Sequence, residues 1–221
     1  MKTKKLKTFR SEVEDLGAFQ LPAYSGIRWM MMPFRLEDVP RTITAEDWHE
    51  ALQRMVALAP VQEGVGYLTI DEAEVEAGTT HRRPGIHVDG VGPTGGLGGW
   101  GGGGGGGWGT GGMVVVASHL GCRAWHGEFE ARIGPNGDCS HMRSMLRDED
   151  AIPLLGGRAY RLNESCVHEP LPLPTRTKRQ FVRLSLPSDA PWYEGYTRNP
   201  LGVEPTGPIH PARTEFMVYR P

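Results

Sequence analysis

The stretch GIHVDGVGPTGGLGGWGGGGGGGWGTGGMVVV, residues 85–116, decides how the chain is divided. It opens on an His-x-Asp pair, His87 and Asp89, and then enters a tract in which 16 of the 23 residues in 90–112 are glycine. Read as a linker, the tract separates two domains; read as an insertion, it hangs from one. Glycine offers no side chain to bury and loses the most backbone entropy on ordering, so the tract cannot supply a core of its own. The segment after it, MVVVASH, continues the β-like pattern of the residues before it. The tract therefore reads as an insertion within a single domain spanning 1–221. Its two tryptophans, Trp100 and Trp108, could pin the loop to the surface or lie over a ligand.

Outward from this stretch, short β-like segments recur from Val65 onward: GYLTIDEAEV, PGIHVDG, MVVVASH, CRAWHGEFEARI, GRAYRLN, SCVHEP and QFVRLSLP. Turn residues separate them, among them the run Gly134, Pro135, Asn136, Gly137 and the pair Gly156, Gly157. Several short strands at this spacing predict a mainly β fold, a sandwich or barrel. The alternation of strands with long amphipathic helices that a parallel α/β sheet needs is not seen.

Upstream, TITAEDWHEALQRMVALAP predicts one helix. Thr44 reads as its N-cap with Asp47 three residues on; Trp48, Leu52, Met55 and Val56 form an apolar stripe, and Pro60 closes the run. Residues 1–64 thus read as a tail and a packing helix, with the basic start MKTKKLKTFR solvated. Residues 65–187 read as the β core carrying the insertion 90–112. Residues 188–221 hold Pro191, Pro200, Pro205, Pro208, Pro211 and Pro221 and read as a wrap without regular structure.

Composition narrows the function classes. The 221 residues are 38% hydrophobic and 23% charged, the balance of a globular protein rather than a disordered one. A formal net charge of −2 favours neither nucleic acid nor an anionic membrane as partner. No run approaches the roughly 18 to 20 apolar residues of a membrane span, and no apolar stretch follows the basic start as in a signal peptide. Three cysteines, Cys122, Cys139 and Cys166, make no disulfide framework, so a cytoplasmic protein is expected.

The chemistry is carried by few residues. On an extended strand His87 and Asp89 share one face roughly 6 to 7 Å apart, close enough to converge on one ion. Two histidines and a carboxylate are the usual ligand set of non-haem Fe(II), and His168 in ESCVHEPLP could supply the second histidine from an antiparallel neighbour. In KRQFVRLSLP, Arg183 and Ser185 share one strand face while Val182, Leu184 and Leu186 take the other. An inward arginine is costly unless an anion meets it. That anion could be a ligand carboxylate, which suits a guanidinium fork beside a hydroxyl, or an internal partner such as Glu128, Glu130 or Asp89. The pairs Cys122/His126, Cys139/His141 and Cys166/His168 lack structural-zinc spacing. His119 and His126 with Glu128 and Glu130 fit a cupin metal set poorly. Neither a Gly-x-Ser-x-Gly elbow nor a phosphate loop ending in Gly-Lys-Ser/Thr is present.

With His87-x-Asp89, the distal His168 and Arg183-x-Ser185 in this order, the chain resembles the Fe(II)/2-oxoglutarate-dependent oxygenases over roughly residues 67–187. The resemblance implies a double-stranded β-helix, a jelly-roll or cupin-like sandwich. It also implies Fe(II) held by His87, Asp89 and His168, and 2-oxoglutarate whose distal carboxylate meets Arg183 and Ser185. The activity implied is that of a dioxygenase, a hydroxylase acting on a small molecule or a protein side chain. The fourteen residues between His168 and Arg183 exceed the family's commoner spacing. Arg176 and Arg179 are therefore rival cosubstrate residues, and Tyr67 is a candidate for a further contact. The competing expectation is a non-enzymatic β-sandwich, a structural or binding module such as a virion or assembly component, with the glycine tract as an extended arm.

Overall fold

The computed structural model describes residues 6–89, 112–134, 137–187 and 192–211. Residues 90–111, with Trp100 and Trp108, lie outside them, so the reading of that loop as a cover or an arm does too. Strands are numbered in chain order. Six form the main sheet, in the spatial order β2 (Val13–Ala18), β9 (Arg158–Leu162), β5 (Met113–Ala117), β11 (Thr177–Ser185), β4 (Val65–Val75) and β3 (Arg28–Arg35). All of its pairings are antiparallel. A smaller sheet has the order β10 (Val167–Pro170), β6 (Cys122–Trp125) and β8 (Ala151–Pro153), and β1 (Lys7–Ser11) pairs with β7 (Gly127–Ala131). The fold is mainly β, with several antiparallel sheets and none closed on itself among the described residues.

Alternation along the central strands creates two different faces. Leu68 and Ile70 of β4, Val182 and Leu184 of β11, Val114 and Val116 of β5, and Ala159 of β9 join one buried core. Trp48, Leu52, Met55 and Val56 complete that core, so the stripe read from the sequence does cover the sheet. On the opposite face Met113, Val115, Tyr160 and Leu162 meet Ala124, Leu154 and Cys166 from the smaller sheet and its flanks. The same alternation turns Tyr67, Thr69, Asp71, Arg183 and Ser185 toward this inter-sheet space. Pairing aligns Arg183 with Thr69 and Val115, and Ser185 with Tyr67 and Met113.

Around this frame several local readings change. The helix is α2 (His49–Leu58), preceded by the four-residue α1 (Val39–Thr42) and a 3-10 turn at Glu46–Trp48. Thr44 caps nothing: no side-chain bond closes the N-terminus, and the Trp48 N–H instead donates to the Ala45 carbonyl. The His49 ring bonds the Ile43 carbonyl at 2.6 Å and fixes the corner that a cap would have fixed. Residues 6–64 hold three strands besides the helices. In β1, Phe9 is buried and tilts against Phe129 at 6.0 Å, which gives a strand where a solvated tail was expected. The 86–89 segment is extended without being a strand; His87 alone forms bridges, to Asp138 and to His168.

The proline-rich C-terminal segment carries one short parallel pair, β12 (Trp192–Tyr193) with β13 (Ile209–His210). It is otherwise anchored by side chains. Buried Asn199 donates to the carbonyls of Pro33 and Thr42, both at 2.7 Å, and accepts from the Leu201 N–H at 2.8 Å. All three cysteines are free, and among the described residues no helix is long and apolar enough to cross a membrane. If Asn199 is the clasp, Asn199→Ala, which orphans two buried carbonyls, destabilises the protein by about 1–3 kcal/mol in urea unfolding. Leu201→Ala, at an exposed neighbouring position, changes stability by less than about 0.5 kcal/mol.

Candidate metal centre

The centre begins with backbone pairing. The His87 N–H donates to the His168 carbonyl at 2.9 Å, and the His168 N–H donates to the His87 carbonyl at 3.0 Å. Residues that exchange both bonds across an antiparallel pair present their side chains on the same face. The two imidazoles accordingly lie with ring centroids 4.3 Å apart. On its other side the segment is held by Val88 N–H to the Gly137 carbonyl and Cys139 N–H to the Ile86 carbonyl, each 2.9 Å. Gly137, with φ +76, is required there, because a β-carbon would sit 2.0 Å from the Val88 oxygen. Asp89, two residues past His87, returns to the face of the histidines.

Three donor atoms converge as a result. One ligand atom from each of His87, Asp89 and His168 lies within 4.8 Å of the others. His87 Nε2 is 3.8 Å from Asp89 Oδ1, and His168 Nε2 is 3.7 Å from Asp89 Oδ2. Each Nδ1 faces a backbone carbonyl, Gly85 at 2.8 Å for His87 and Cys166 at 3.0 Å for His168. A carbonyl can only accept, so each Nδ1 carries a proton and each Nε2 is directed at the common centre, the orientation a metal requires. Burial, and then the neighbouring His168, push the His87 imidazole well below its ordinary value and keep it neutral. Burial alone would raise the Asp89 carboxyl, but the Arg183 guanidinium, with the neighbouring His168 and His87, outweighs it and holds the group below the usual carboxylate range.

Arg183 is the positive charge set against this cluster. It is 4% exposed, with Nη1 2.9 Å from Asp89 Oδ2 and Nη2 3.1 Å from the Met31 sulfur. Its Nε and the Ser185 hydroxyl are buried without a hydrogen-bond partner. Buried polar groups are rarely left so, and these two, two residues apart on one strand face, have the donors to receive an anion. Of the internal partners open to Arg183, Asp89 is the one found. The rival arginines are engaged elsewhere. Arg176 is exposed and pairs with Glu74 and Glu76; Arg179 donates to the His119 carbonyl and meets His81 Nδ1 at 3.0 Å. Tyr67 shares the face of Ser185, and its hydroxyl bonds Thr206. The cysteines join no metal-binding group among the described residues.

Two features of the site escaped the sequence. Met31 has φ +52, in the left-handed region that side chains other than glycine rarely adopt, at a β3–β4 irregularity between Trp29 and Met32. That bulge re-aims its side chain so that the sulfur touches Arg183. The second is Asp71, on the same sheet face, ringed by Arg82 at 2.6 Å, Arg28 at 3.1 Å and His81 at 3.4 Å. The signal was present in YLTIDEAEV, where Thr69 and Asp71 alternate with Leu68 and Ile70. Burial would raise the Asp71 carboxyl, yet His81 and the two guanidinium charges hold it well below the ordinary range.

A carboxyl depressed in the folded state stabilises above its unfolded value, about 4, and loses that contribution as pH falls. Asp71→Asn therefore costs about 1–3 kcal/mol at pH 7, because the buried carboxylate loses its charge-assisted hydrogen bonds to the partly exposed Arg82 and Arg28. In urea titrations at pH 7, 5 and 3 the gap from the parent narrows at the lowest pH.

No protein-family model matches the chain, and neither a curated protein nor a solved structure matches it, so the residues themselves carry the functional argument.

Proposed function

We propose that this chain is an Fe(II)- and 2-oxoglutarate-dependent oxygenase, a hydroxylase whose two facing layers form a double-stranded β-helix of the jelly-roll type. One observation carries the reading: two Nε2 atoms and a carboxylate converge beside a buried arginine whose Nε, like the hydroxyl of the neighbouring serine, has no hydrogen-bond partner. Two histidines and one carboxylate also suit catalytic zinc. The adjoining cradle favours iron, because a dicarboxylate cosubstrate needs a cationic anchor next to the metal and hydrolytic zinc does not. An extended-arm structural module gives no account of the tautomer-locked donors.

In this reading His87 Nε2, His168 Nε2 and a carboxylate oxygen of Asp89 hold Fe(II). Bound there with 2-oxoglutarate, the iron supplies the oxygen-activating chemistry that oxidises the substrate. The chain's own contribution is positional and electrostatic. The Gly85 and Cys166 carbonyls keep both imidazoles in ligand orientation. Arg183 and Ser185 bind the distal carboxylate of 2-oxoglutarate. Val115, Met113, Ala124 and Cys166 form a buried apolar wall between the sheets that limits access of water to the oxidant. The substrate is a small molecule or a protein side chain.

Protein purified without oxygen is expected to bind one Fe(II) or Mn(II) per chain, and the Fe(II) form, given O2 and ascorbate as the reductant that takes up the second oxygen atom in place of substrate, to convert 2-oxoglutarate to succinate and CO2 in equal amounts. His87→Ala and His168→Ala each weaken Mn(II) binding by more than about 100-fold, beyond the cost of outer-sphere changes. Tight zinc binding with no 2-oxoglutarate consumption under Fe(II) overturns the proposal.

A further inference from the structure

Arg183 and the candidate metal position draw on the same carboxylate, Asp89. The arginine's one carboxylate partner among the described residues is Asp89, held at 2.9 Å through Oδ2. That oxygen is also the one that faces His168 Nε2 at 3.7 Å. The guanidinium therefore binds one of the two carboxylate oxygens that face the imidazoles, and leaves its Nε and the Ser185 hydroxyl unpaired. With Arg183 4% exposed, bulk solvent does not reach these groups. A divalent cation between the imidazoles would draw charge from Asp89 and stand within a few ångströms of the guanidinium, where like charges repel. The arginine would then be a buried cation without a counter-ion, a state that calls for an anion.

We propose that Arg183 competes with the divalent cation for Asp89 and that this competition couples the two ligands: cation loading releases the arginine, and the released arginine then takes the dicarboxylate. The coupling rests on the metal-centre reading but adds to it, since a metal site and an anion cradle could sit side by side without sharing a residue. It makes Arg183 a positioning residue for Asp89 as well as an anion anchor. By linkage it is reciprocal, so a dicarboxylate that occupies Arg183 also tightens the cation. Met31, whose sulfur is 3.1 Å from Nη2, offers no charge and leaves the exchange to the two carboxylates.

Calorimetry with Mn(II) and glutarate tests this without turnover. Glutarate has two carboxylates but no keto oxygen, so any dependence on metal comes from the arginine rather than from chelation. Arg183→Gln is expected to bind Mn(II) roughly tenfold more tightly than the parent, since the competitor is gone. Glutarate should bind the Mn(II)-loaded parent at least about tenfold more tightly than the metal-free parent. Metal-free Asp89→Asn, which cannot hold the arginine by charge, should gain glutarate binding that Asp89→Asn/Arg183→Gln lacks. That gain keeps the test open should Arg183→Gln alone fail to fold. If the parent binds Mn(II) but Arg183→Gln binds it equally or more weakly, the competition is overturned and the metal centre stands. Equal glutarate affinity of the metal-free parent and Asp89→Asn overturns it likewise. If the parent binds no Mn(II), both readings fall and the Arg183–Asp89 pair is structural.

Discussion

Two backbone hydrogen bonds, each near 3 Å, between His87 and His168 are the constraint on which the centre depends. They join a short extended segment to β10, and β10 is in turn paired with β6. Because the exchange is reciprocal, it fixes register as well as proximity. A slip of one residue would turn His168 to the opposite face and bring Val167 or Glu169 to the Nε2 position. The Ser11 hydroxyl strengthens the same corner by accepting from the Val167 N–H and donating to the Trp125 carbonyl. Thus β1, far from the centre in sequence, helps to hold the strand that carries its second imidazole.

The second organising principle is compensation of buried charge. The inward face of β11 bears Arg179, Phe181, Arg183 and Ser185 in alternation, two cations on a surface that meets another sheet. Arg179 meets His81 and a backbone carbonyl, and Arg82 binds Asp71 while lying over the Phe181 ring at 5.1 Å. These groups satisfy one another. Arg183 differs: its counter-ion is a residue with another use, and two polar atoms beside it remain unpaired. Buried Nε and hydroxyl groups without partners, two residues apart beside a shared carboxylate, set this spot apart from the Asp71 ion-pair network, although Trp48 Nε1 and His81 Nε2 are also buried without a hydrogen-bond partner.

How much of this could be read from the chain depended on the range of each interaction. The stripe of Trp48, Leu52, Met55 and Val56 and the alternation in β4 and β11 are local periodicities, and the mainly β layers with a packing helix follow from them. His87 and Asp89 were legible because i and i+2 share a face on any extended segment. The convergence of His168 needed a pairing register that no local pattern records. The partner of Arg183 stayed open among Glu128, Glu130 and Asp89, because the choice lies in how two sheets face each other. The N-terminal strands were hidden for a different reason. KTFRS has one buried aromatic amid charges, and RWMMMPFR interrupts its alternation with a bulge and a proline. Thr44 failed as a cap because the His49 ring had already tied the corner to Ile43.

The glycine tract can now be judged from its ends. It leaves from the residue after Asp89, within reach of Arg183. It returns at Gly112, with φ +116, where a β-carbon would lie 2.6 Å from the Leu162 carbonyl oxygen. Only glycine fits that approach. The Gly112 carbonyl accepts from the Leu186 N–H at 3.0 Å, and the next residue, Met113, pairs with Ser185. Departure and return therefore flank the Arg183–Ser185 cradle on both sides. A linker between independent bodies would have no reason to begin at a candidate ligand and end in register with the candidate anion anchor. The described residues on either side of the tract, Asp89 and Gly112, both lie against β11 and its continuation, Asp89 through Arg183 and Gly112 through Leu186.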